Sequence, residues 1–75
     1  MKKTLCDLKE NESAKILDLE GENFAIERRL FELGFLPGRE IKILEKSFSK
    51  KTILIEIENY TIALRCSVAN YIKVA

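Results

Sequence analysis

The stretch 27–42, ERRLFELGFLPGREIK, constrains the fold more tightly than any other part of the chain, because it reads in turn as a helix end, a tight turn and a strand start. Ile26, Leu30 and Leu33 recur at spacings of four and three, which marks one face of a helix. Gly34 supplies the left-handed position at which helices commonly stop, and Pro37-Gly38 forms a turn pair before Glu40, Ile41, Lys42 and Ile43 alternate as a strand. A helix turning into a strand through such a corner specifies a small α+β unit. It does not specify an activity.

The rest of the chain fits around that corner. Thr4 is expected to cap a turn through Leu8, with Asp7 completing the reciprocal cap and Leu5 and Leu8 pointing the same way over one end of the core. Asn11 and Ser13 make a polar turn, and residues 14–19 form a strand with Ile16 inward. Gly21 and Asn23 break it; Asn23 is the N-cap of the helix, and Glu27 suits its positive end. Strands are expected over 40–46, 52–58 and 60–65. Ile53, Ile55 and Ile57 share one face; Tyr60, Ile62 and Leu64 share another. Residues 47–51 form the first hairpin loop, and Asn59 is the turn residue with positive φ in the second. Ser67 caps a last helical turn through Asn70, and Ile72 with Val74 ends the chain as a short strand.

Five short strands with one inserted helix predict a mostly β domain, a small, strongly bent antiparallel sheet closing toward a barrel. A ferredoxin-like αβ sandwich would need a second full helix, for which the segment after Arg65 is too short. With 75 residues there is room for one domain, 1–75, that buries about 60% of its unfolded surface. A composition of 47% hydrophobic and 33% charged residues is too apolar for disorder. The net charge of +1 gives no global attraction to nucleic acid or an anionic membrane. No segment approaches the roughly 18 apolar residues that cross a bilayer. Residues 1–10 also lack the apolar run of a secretory leader, so membrane insertion is not expected and the cytoplasm is the expected compartment.

Candidate chemistry is sparse. The chain has no histidine, which removes Ser-His and Cys-His nucleophile arrangements, and no phosphate-cradling G-x-x-x-x-G-K motif. Asp7, Glu10, Glu12, Asp18, Glu20 and Glu22 lack the fixed spacing of a calcium loop and read as solvated surface. Cys6 and Cys66 lie far apart in sequence without CxxC spacing; buried or half-buried thiols are expected, not ligands and not a structural disulfide. No catalytic, cofactor or metal residue is therefore assigned. Arg28-Arg29, Lys50-Lys51 and Arg65 are diluted by Glu27, Glu32, Glu56 and Glu58, so no nucleic-acid partner is expected.

Phe24 and Phe31, seven apart, fall on the helix face opposite Ile26, Leu30 and Leu33, with Arg28 beside them. Two readings stay open. These three residues form a partner-binding face, which would serve a homodimer equally, or the N-terminal turn folds over the rings through Leu5 and Leu8.

An L-x-x-L turn (Leu5, Leu8), the run RRLFELGFLPGREI over 28–41, and a late I-A-L-R (Ile62 to Arg65) followed by Ala69, Ile72 and Val74 resemble the FeoA family. Its members are small cytosolic proteins that accompany the FeoB ferrous-iron transporter. The resemblance implies an SH3-like, five-stranded barrel. It also implies an accessory or regulatory interaction module, not an enzyme, acting on the cytosolic GTPase part of FeoB. The motif positions are Arg29, Leu30, Leu33, Gly34, Pro37 and Gly38 at the corner and Ala63, Leu64 and Arg65 on the late strand, and they read as structural. Asn11 and Asn59 stand where members often carry glycine, and asparagine is the least costly replacement there. The module also resembles the C-terminal domain of DtxR-type iron-dependent repressors. A chain of this length lacks their helix-turn-helix and metal-binding parts. That role, and that of an iron-binding carrier, are the alternatives.

Overall fold

The computed structural model describes residues 3–47, 49 and 51–75. Period-two alternation sets the centre of the molecule. In β3 (Glu40–Lys46) and β4 (Thr52–Ile57), the inward positions Ile41, Ile43, Ile53, Ile55 and Ile57 are all buried. Antiparallel pairing stacks Ile41 on Ile57 and Ile43 on Ile55, and β4 pairs in turn with β5 (Tyr60–Arg65) without a break in register. On its other side β3 pairs with β2 (Ser13–Leu19), which pairs with β6 (Ile72–Val74). A two-residue strand, β1 (Lys3–Thr4), completes the order β1-β6-β2-β3-β4-β5. Register shifts between Ile16 and Asp18 in β2 and between Ile43 and Glu45 in β3 act as bulges, which bend a sheet around its core.

The mostly β architecture with one inserted helix is as expected; its edges are not. Among the described residues the strands number six and the sheet is not closed, with β1 paired only to β6 and β5 only to β4. Phe48 and Lys50, inside the expected loop 47–51, lie outside the described residues, as do Met1 and Lys2.

Between β2 and β3 runs α1 (Phe24–Glu32), capped by Asn23, whose side-chain oxygen accepts from the Ala25 and Ile26 amides at 2.9 and 3.3 Å. Gly34 ends it with φ 104. The Gly34 amide donates to the Phe31 carbonyl and the Phe35 amide to the Leu30 carbonyl, both at 3.1 Å, a Schellman closure. That closure turns Phe35 back onto Leu30, and both are buried in the core.

At the N-terminus the Thr4 amide donates to the Asp7 carboxylate at 2.9 Å, as the capping pattern requires, and closes the 3-10 turn Leu5–Asp7. Leu5 and Leu8 seal one end of the core. Three expectations need correction. Cys6 and Cys66 are not separate thiols but a disulfide, with Cα atoms 5.7 Å apart. Burial of Leu5 and the pairing of β1 with β6 bring the turn against the start of α2 (Cys66–Ala69), a neighbourhood that sequence distance does not reveal. The helical turn α2 starts at Cys66 with Arg65 as N-cap, so Ser67 lies within it. In the β4–β5 turn, the positive φ of 56° falls on Glu58, not on Asn59, and the Glu58 carboxylate pairs with Arg39. Asn11 does take the left-handed conformation, at φ 69.

Candidate functional site

The inward face of α1 is occupied by buried Leu30 and half-buried Ile26 and Leu33. A 3.6-residue repeat then forces Phe24 and Phe31 outward, where they are 75% and 58% exposed. Leu5 and Leu8, the side chains that would have covered them, are in the core, so the covered reading fails. The two rings flank a shallow groove of about 430 Å³ whose far wall is Leu19 and Pro37 and whose charged rim includes Arg28, Glu27 and Asp18. All three candidate partner residues thus meet at one place. Arg28 Nε lies 3.7 Å from Glu32 Oε2 in an exposed i,i+4 pair, an interaction worth only about 0.3–0.5 kcal/mol, weak enough to be exchanged for a better carboxylate.

The family-motif residues divide between two locations. Leu30, Leu33, Gly34, Pro37 and Gly38 build the corner, with Gly38 also at positive φ. Arg29 is exposed on α1. On β5, Leu64 is half-buried and packs against the core with Ile62, while Ala63 and Arg65 face the surface. A short link joins the two places: the Tyr60 hydroxyl donates to the Leu33 carbonyl.

Elsewhere the chemistry is plain. Among the described residues no three His, Cys, Asp or Glu side chains converge to hold a metal ion, and no helix is long and apolar enough to cross a membrane. The Asp7 carboxyl is held below its ordinary pKa, chiefly by the hydrogen bond from the Thr4 amide.

A curled antiparallel sheet with one helix inserted before its central hairpin defines a small SH3-like domain. The FeoA of Stenotrophomonas maltophilia, solved with zinc and described as an SH3 domain protein, is 33% identical and superposes with a TM-score of 0.86 over 97% of this chain and 89% of that one. A protein of Campylobacter jejuni named as Fe(2+) transport protein A is 30% identical over 71 residues, 95% of each chain. The FeoA domain model matches residues 3–75, and the chain belongs to the FeoA domain family. A manganese-dependent transcriptional repressor superposes with a TM-score of 0.88 at 15% identity, covering 99% of this chain and 36% of that one; this likeness is one of fold alone.

Proposed function

We propose that this chain is a cytoplasmic accessory module of ferrous-iron uptake that docks on the cytosolic GTPase part of an FeoB-type transporter through Phe24, Arg28 and Phe31, and performs no catalysis of its own. Family membership supports the pathway. The observation that carries the docking face is the pair of exposed phenylalanines around one groove, with a guanidinium at its rim. Each ring buried against a partner returns about 1.5–3 kcal/mol, and aromatic and arginine side chains are the groups that most often dominate interfaces. Among the described residues no side-chain cluster favours the roles of iron-binding carrier or DtxR-type regulator domain.

Titrating the purified chain against the soluble GTPase domain, with Phe31→Asp as the comparison, tests the reading. The substitution is expected to weaken binding by about tenfold or more, since burying a charge in an apolar contact exceeds 1.4 kcal/mol. Equal affinity of the two proteins would remove this face from the interface.

A further inference from the structure

We propose that the open edge of β5, with the groove between it and α1, receives an extended segment of a partner protein as an added strand, the segment being apolar on its inward side and carrying a carboxylate. This surface is separate from the Phe24 and Phe31 face and does not depend on it.

The backbone comes first. Among the described residues β5 ends the sheet and is paired on one side only. In the two-residue hairpin, Ile57 and Tyr60 form the closing pair, so Tyr60, Ile62 and Leu64 exchange hydrogen bonds with β4. Thr61 and Ala63 therefore turn their amides and carbonyls outward, as Arg65 does its amide, while the Arg65 carbonyl caps α2. Such an edge is usually blunted by proline, lysine or a bulge, or is hidden. Tyr60–Arg65 contains neither residue, and its register with β4 runs unbroken through six pairs. Among the described residues the opposite edge, β1, is two residues long.

The side chains supply the second half. Beside β5 lies a groove of about 490 Å³, walled by Ile62 and Leu64 on the strand and by Ile26 and Leu33 on the helix, with Val68 of α2 also lining it. The Tyr60 hydroxyl on the Leu33 carbonyl pins strand and helix together at one end. An added strand would bury half-exposed aliphatic surface while its backbone met the outward row of amides, the mode by which sheet edges bind extended peptides. Arg29 is the one charged side chain lining the groove, and Arg65 is exposed at the end of β5. No carboxylate lines it, so an acidic segment is matched and a basic one repelled. A second copy pairing through its own β5 would bring the same arginines to both sides of the seam.

The test uses the full chain, ¹⁵N-labelled, and a short capped peptide that alternates valine and threonine with glutamate at each end. The amides of Thr61, Ala63 and Arg65 are expected to shift and exchange more slowly, while Phe24 and Phe31 stay unmoved. N-methylation of alternate peptide nitrogens, or lysine in place of the glutamates, should weaken binding about tenfold or more. Ala63→Pro removes an outward amide while sparing the β4 ladder, and should weaken binding as much in a folded chain. If that variant unfolds, Arg29→Glu and the methylated peptide decide the matter. The proposal is overturned by an absence of shifts, by shifts confined to the aromatic face, by equal binding of the methylated peptide, or by a dimer of the free chain that Arg29→Glu or Ala63→Pro dissolves.

Discussion

The hydroxyl of Tyr60 donates to the carbonyl of Leu33, so the first residue of β5 is tied to the C-cap of α1 across the turn that carries Gly34. A Cβ on Gly34 would come within 2.7 Å of that same hydroxyl, at a backbone φ of 104 that side chains rarely adopt. Gly34→Ala is therefore expected to cost about 1–3 kcal/mol of stability, from left-handed strain and displacement of the hydroxyl together. Tyr60→Phe, which removes an exposed hydrogen bond only, should cost about 0.5–1.5 kcal/mol. Equilibrium urea unfolding compares them, and the glycine variant should be the weaker protein.

The Cys6–Cys66 bond spans sixty positions of sequence and joins the N-terminal turn to α2. In the chain-entropy account, a loop of that length stabilises the folded state by about 4 kcal/mol. Reduction should lower the urea midpoint accordingly, and the Cys6→Ser, Cys66→Ser double variant should be indifferent to reductant. A wild-type midpoint unmoved by reductant would contradict the bond.

Asp7 makes a small contribution to the acid behaviour of the N-terminal turn. Its folded-state pKa lies below the unfolded value, so its contribution is fully present above the ordinary carboxylate range and is lost as pH falls through the folded value. Asp7→Asn should leave a shallower decline of stability below about pH 4 than the wild type shows. The group is exposed, so the effect is small, and a pH series of unfolding midpoints measures it.

Phe35 is the largest of the fully buried side chains, and Phe35→Ala should cost about 3–5 kcal/mol by differential scanning calorimetry. It was also the core residue that sequence reading passed over. It lies between Gly34 and the Pro37-Gly38 turn, outside any helix or strand period, whereas a Schellman closure at Gly34 is commonly accompanied by an apolar residue next in line that packs back on the helix. That signal was present in the spacing.

Other features were legible for a clear reason. Strict alternation placed β3, β4 and β5 within a residue of their bounds, because a one-residue slip would have moved every isoleucine into water. The capping of α1 by Asn23 and of the first turn by Thr4 and Asp7 followed from local hydrogen bonding. What sequence left open depended on contacts between distant segments. Only the folded chain shows that Leu5 and Leu8 enter the core instead of covering Phe24 and Phe31, that Cys6 meets Cys66, and that among the described residues β5 has no neighbour beyond β4. The positive φ falls on Glu58, whose carboxylate meets Arg39, a side chain from the far end of the corner that local sequence does not place there.

The central claim is that the aromatic face of α1 is what meets the transporter. Amide hydrogen exchange on the chain, alone and saturated with the soluble GTPase domain, tests it directly. Slowed exchange is expected along Phe24–Glu32, abolished by Phe31→Asp without altering the exchange of the free chain's sheet. Protection elsewhere, with α1 unchanged, would contradict it.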